Sequence, residues 1–159
     1  MMQFFRSTPR APAPPVADAA PVASDSPPAA ASGSAAAVIL VVDDSTMIRT
    51  EVTKTLVGRG YEILQATNGR EGLTMWEQNK ERITLVLSDV FMPEVDGLTM
   101  AKELRRRSRG LPIVLMSSKL DEDSRWVAEE AGFRLMPKPF KDTYLLELVA
   151  RMIRLRATG

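Results

Sequence analysis

Residues 84–97 read TLVLSDVFMPEVDG. The run from Ile83 to Leu87 is β-branched and leucine-rich; it ends on Ser88 and Asp89, and Pro93 and Gly97 then mark a loop. A short, largely apolar run bounded by turn residues reads as a strand, and the continuously apolar Val38–Val42 as one buried on both faces. Asp89 therefore stands at the carboxyl end of a strand. The same pattern recurs on either side. VILVVDDS (38–45) ends in Asp43 and Asp44, PIVLMSS (112–118) in Ser117 and Ser118, and LMPKPF (135–140) delivers Lys138.

Helix-period segments fill the intervals. Ser45 can cap a helix in which Ile48, Val52 and Leu56 recur every four residues, closed by Gly58 and Gly60. Tyr61–Ala66 predicts a second strand. Asn68 with Glu71 three residues later has the form of a capping box, opening a helix through Leu73 and Trp76. Further helices are predicted over 98–106, 121–131 and 142–156, and further strands over 112–116 and 135–137. The last helix carries Leu145, Leu148, Val149 and Met152 on one face. Five β-α units predict an α/β fold: a doubly wound five-stranded parallel sheet with five helices.

In such open sheets ligands sit beyond the carboxyl ends of the strands, where strand order reverses. With strand order 2-1-3-4-5 the first strand lies beside the third, so Asp43 and Asp44 face Asp89. Three carboxylates suit a hard divalent cation. One of them can act as a nucleophile toward phosphorus, while a hydroxyl and an ammonium hold the transferred group. Two carboxylates 4 Å apart repel by roughly 4 kcal/mol at an effective dielectric near 20. Three are untenable unless one protonates or a cation enters. A divalent cation and the Lys138 ammonium balance them in formal charge.

Composition bounds the remainder. The first 36 residues hold 11 alanines and 7 prolines, too little apolar surface to offset ordering entropy, and are expected to form a disordered tail. No apolar run there suits a signal peptide, and the prolines argue against an amphipathic presequence. Residues 37–159 carry 19 basic and 18 acidic residues, which gives no pull toward nucleic acid or an anionic membrane. No stretch approaches the ~20 apolar residues of a membrane span. Cysteine and histidine are both absent, so thiolate chemistry is excluded and any phosphohistidine must come from a partner.

Together the acidic pair Asp43-Asp44, the string from Asp89 to Gly97, Ser117 and Lys138-Pro139-Phe140 resemble the receiver domain of two-component response regulators, the CheY-like, flavodoxin-like family. The resemblance covers about residues 37–156. It implies that Asp89 is a phosphoacceptor for a sensor histidine kinase or histidine phosphotransfer protein. It further implies Mg²⁺ held by Asp44, Asp89 and the Phe91 carbonyl, with Asp43 assisting through water. Lys138 would pair with a phosphoryl oxygen, and Ser117 would swing to meet the phosphoryl group. A cis Lys138-Pro139 bond, a cytoplasmic setting and a protein target are implied as well, without enzymatic turnover of a separate substrate. The chain departs from the family at Leu135, where an aromatic residue is usual.

Other readings have their own signals. Asp43-Asp44 could cap the first helix. Leu135 motivates a constitutive interaction module without a phosphorylation switch. An aspartyl-phosphate phosphohydrolase would need two aspartates separated by one residue, which Val42-Asp43-Asp44-Ser45 lacks. Trp76 and Trp126 are expected to pack in or against the core. Arg105, Arg106, Arg107 and Arg109 are expected to be a solvated helix end. The chain ends three residues past the last predicted helix, so a stand-alone domain without an output module is expected.

Overall fold

The computed structural model describes residues 36–119 and 121–158; most of the expected N-terminal tail lies outside the described residues. The elements run β1 (Val38–Val42), α1 (Thr46–Val57), β2 (Glu62–Ala66), α2 (Gly69–Asn79), β3 (Ile83–Asp89), α3 (Gly97–Arg107), β4 (Ile113–Ser117), α4 (Glu122–Glu130), β5 (Arg134–Pro137) and α5 (Asp142–Ala157). The five strands form one parallel sheet in the order β2-β1-β3-β4-β5. The predicted topology is the observed one. Pro137 lies in the edge strand β5, where a missing amide donor is tolerated.

All five residues of β1 are buried, and their alternation splits them between two cores. Val38, Leu40 and Val42 join Val86, Ile113 and Leu115 under Trp76, Met100, Leu104 and Ala128 of α2, α3 and α4. Ile39 and Val41 join Leu85, Leu87, Val114 and Met116 under Val52, Leu56, Leu145 and Val149 of α1 and α5. Each such side chain contributes about 1.5–3 kcal/mol relative to exposure. Strands covered on both faces therefore need continuous apolar sequence, and the runs quoted above supply it. The β1–β3 register shifts between Val38 and Ile39, and there Thr84 turns its hydroxyl back to donate to the Val38 carbonyl at 2.9 Å.

Caps fix where the helices begin. Ser45 Oγ accepts from the Ile48 amide at 3.4 Å and Asn68 Oδ1 from the Glu71 amide at 2.8 Å. The return contact of the second cap differs from the expected capping box. Glu71 Oε2 accepts from both the amide and the hydroxyl of Thr67, at 2.6 Å each, one residue earlier than Asn68. Those two bonds, the hydroxyl foremost, hold the Glu71 carboxyl below its ordinary pKa. Gly60, with φ of +85°, supplies the left-handed residue that turns the chain from α1 into β2.

One expectation is corrected. Trp126, read as a packing residue, is 63% exposed. Among the described residues of α4 Ala128 is buried and Val127 half-buried, while the Trp126 indole faces outward. Trp76 does pack in the core. In the arginine cluster, Arg106 and Arg107 pair with Glu103, while the Arg105 guanidinium lies 5.3 Å from the centre of the Phe133 ring.

Candidate functional site

Each polar residue singled out in the sequence stands at the carboxyl end of its strand. β1 leads into Asp43, which is completely buried, and then into Asp44, which is exposed. β3 ends on buried Asp89 and β4 on buried Ser117. Lys138 follows β5; its amide donates to the Ser117 carbonyl at 2.8 Å, and its bond to Pro139 is cis. Backbone bonds carry the sheet pairing up to the site: Asp43 N–H donates to the Ala66 carbonyl and Val90 N–H to the Met116 carbonyl.

Oxygens of Asp43, Asp44 and Asp89 lie within 4.8 Å of one another. Lys138 Nζ bridges two of these residues, 2.6 Å from Asp43 Oδ2 and 3.1 Å from Asp89 Oδ1. Asp43 Oδ1 also accepts from the Ser45 amide at 2.9 Å, a turn that leads into α1, and the cap of that helix is Ser45 rather than the acidic pair. Asp44 has no hydrogen-bond or ion-pair partner among the described residues. One carboxylate is thus fixed, one is half committed, and one is free.

Burial pushes the Asp89 carboxyl above its ordinary pKa; Lys138 opposes this, and the charges of Asp43 and Asp44 add to it. Burial also works against the Lys138 ammonium. The hydrogen bond to Asp43 and the charges of Asp89 and Asp43 outweigh it, and the lysine pKa is raised. One ammonium therefore serves three carboxylates. A hard cation fits the deficit, and the donor set is all oxygen, as Mg²⁺ or Ca²⁺ requires.

One expected participant is tied to a loop, and another leaves its carbonyl without a hydrogen bond among the described residues. The Ser117 hydroxyl donates to the Lys119 carbonyl at 2.7 Å and accepts from the Lys119 amide at 3.2 Å, which ties it to the loop after β4. Phe91 is 48% exposed in the loop after β3, and its carbonyl accepts no hydrogen bond among the described residues. That loop is held at both ends. Gly97 N–H donates to the Val90 carbonyl at 2.8 Å, and Gly69 N–H donates to the Val95 carbonyl at 3.2 Å. Glu94 adopts φ of +67° between them.

Sequence reasoning missed Arg49. Its Nη1 donates to the Asp43 carbonyl at 2.7 Å and its Nη2 to Thr46 Oγ1 at 3.3 Å. A basic residue one turn into the helix that follows an acidic pair was the available signal.

The sequence model for the response regulator receiver domain matches residues 39–150. The chain belongs to the response regulator receiver domain family. Receiver domains are typically signalling modules rather than enzymes, and the acidic trio is consistent with a phosphoacceptor site. The chain is 34% identical over 121 residues to the sensor histidine kinase CheAY of Helicobacter pylori, an alignment covering 74% of this chain and 15% of that one. It spans at most half the length of the other curated relatives compared. Among solved structures, the chemotaxis protein CheY4 of Vibrio cholerae is 33% identical, with a TM-score of 0.68 covering 74% of this chain and 99% of that one. The CheX–CheY–BeF3–Mg²⁺ complex of Borrelia burgdorferi shares the fold at 23% identity, with a TM-score of 0.67 covering 70% of this chain and 85% of that one. The receiver domain has no described helix long and apolar enough to cross a membrane.

Proposed function

We propose that this receiver domain is a Mg²⁺-dependent phosphoacceptor switch that takes its phosphoryl group from the phosphohistidine of a sensor kinase or phosphotransfer protein. One observation carries the reading: Lys138 Nζ bridges Asp43 and Asp89, while Asp44 stays open beside them. In this reading residues 37–159 form the working unit and residues 1–36 are a tail.

An Asp89 carboxylate oxygen attacks phosphorus. The O–P bond forms as the P–N bond breaks, and the electron pair leaves with the partner's imidazole, which takes a proton from solvent. Asp44 and Asp89, with the Phe91 carbonyl, would hold the cation. Asp43, already accepting from Lys138 and Ser45, would act through a cation-bound water. Bound Mg²⁺ would supply charge neutralisation of the phosphoryl oxygens. The Borrelia CheY complex, a relative by fold, contains Mg²⁺ together with BeF3.

Lys138 would follow a phosphoryl oxygen, and the transferred group adds negative charge that favours a further donor. Ser117 can supply that donor by turning its hydroxyl away from the Lys119 carbonyl. The loop from β4 to α4 would then lose an anchor, and phosphorylation would alter the surface offered to a protein target.

Intact-protein mass spectrometry after incubation with acetyl phosphate tests this reading. A single phosphoryl adduct that needs both Mg²⁺ and Asp89 supports it; an equal adduct on Asp89→Asn removes it.

A further inference from the structure

We propose that Arg49 is a positioning residue of the acidic pocket, pinning the Asp43 carbonyl to the first turn of α1 and so fixing where Asp44 presents its carboxylate. The inference rests on reading the pocket as a cation-dependent phosphoacceptor site.

The geometry is a two-point clamp. One arm of the guanidinium donates to the last carbonyl before Asp44, the other to the hydroxyl of Thr46 two residues beyond it. Asp44 is therefore flanked on both sides by groups held by one rigid, planar fork. Asp44 itself has no anchor, so its orientation is inherited from its neighbours. With Arg49 included, every polar group of Asp43 is committed. Its amide donates to Ala66, its carbonyl accepts from Arg49, and its two carboxylate oxygens accept from Ser45 and Lys138.

Charge pulls both ways at Arg49: the acidic trio and the Glu71 carboxylate attract it, while two other effects oppose it. Arg49 lies near the N-terminal end of α1, where the helix dipole disfavours a cation, and that helix has no acidic residue in its first turn. It also stands beside a pocket that would bind a divalent cation, which it repels. Among the described residues it forms no direct ion pair with any of these carboxylates. Half-buried, it donates to a carbonyl and a hydroxyl instead. Its direct contacts are hydrogen bonds, so Arg49 can act on the pocket by positioning its backbone or by its charge.

The two explanations predict opposite signs, which makes the test decisive. Mn²⁺ binding to the full chain is measured by water-proton relaxation for wild type, Arg49→Met, Arg49→Lys and Asp44→Asn, with urea unfolding as the check on folding. Loss of an orienting partner typically weakens metal affinity by about tenfold or more, and Arg49→Met should show that loss while remaining folded. Removal of a repelling charge would instead tighten binding, so unchanged or tighter Mn²⁺ binding in Arg49→Met overturns the inference. Should Arg49→Met not fold, Arg49→Lys decides: it keeps the charge and loses the fork, and wild-type affinity there overturns the inference. Wild type that binds no Mn²⁺, or binds it as well after Asp44→Asn, removes the reading of the pocket and this inference with it. Binding that depends on Asp44 but not on Arg49 removes this inference alone.

Discussion

Gly97 lies directly against the backbone of Asp89: a Cβ on Gly97 would stand 1.8 Å from the Asp89 carbonyl oxygen and 2.8 Å from Ser88 Oγ. The start of α3 thus packs onto the residue whose buried carboxylate meets Lys138.

Gly97→Ala has no compliant neighbour to push aside, because the first atom met is backbone. Overpacking of this kind costs about 1–3 kcal/mol, and the upper end or beyond applies here. Urea unfolding of Gly97→Ala should show it. A loss under about 1 kcal/mol would mean that the loop after β3 yields more easily than its packing implies.

Asp89→Asn should stabilise the metal-free protein at neutral pH. Burial, joined by the Asp43 and Asp44 charges and opposed by Lys138, raises the Asp89 pKa, so the folded state holds that proton more tightly than the unfolded chain does. Its contribution is fully present below the unfolded value of about 3.9 and is lost as pH rises through the higher folded value. The advantage of Asp89→Asn should therefore be present at neutral pH and close as pH falls toward about 4. Urea midpoints across that range would read it, and equal midpoints at pH 7 would contradict it.

Asp44→Asn should separate metal binding from stability. The side chain is exposed and has no partner among the described residues, so the metal-free variant should unfold within about 0.5 kcal/mol of wild type. Mg²⁺ at a hundred times its Kd should stabilise wild type by about 2.7 kcal/mol and the variant by much less. Thermal melts with and without Mg²⁺ provide the comparison, and equal stabilisation of both chains would exclude Asp44 from the cation site.

Phe91→Asn should shorten the lifetime of the phosphorylated form. The half-exposed ring stands two residues past Asp89, where its bulk would hinder an attacking water, and an amide in its place would admit and orient one. The decay of the phosphoryl adduct after acetyl phosphate is removed measures this directly. A lifetime equal to wild type would show that water approaches from another side.

Much of this was legible in the sequence because the informative pattern is a repeated one. A strand buried on both faces is built almost entirely of Val, Ile, Leu and Met, and the runs of β1, β3 and β4 give way abruptly to polar residues of the candidate site. The parts that stayed hidden depend on orientation rather than identity. Trp126 sits on a helix where, among the described residues, Ala128 is buried and Val127 half-buried, so its apolar periodicity was too slight to reveal which side faced out. Ser117 was correctly placed at the end of β4, yet nothing in PIVLMSS foretold that its hydroxyl would close on Lys119. Arg49 went unnoticed because its acceptor is a main-chain carbonyl, and a carbonyl leaves no mark in a sequence.

The contact between Lys138 and Asp43 joins residues 95 positions apart, and that separation makes the pocket a record of completed folding. Until the last β-α unit has docked, the acidic trio has no ammonium of its own, and the most committed of the three, Asp43, lacks its strongest partner. Contacts between such distant residues form late, after the loop between them has been closed. A chain still emerging during synthesis, or one clipped before β5, would keep all three aspartates and still lack the site. Readiness to receive a signal is thereby made conditional on the whole domain having been built.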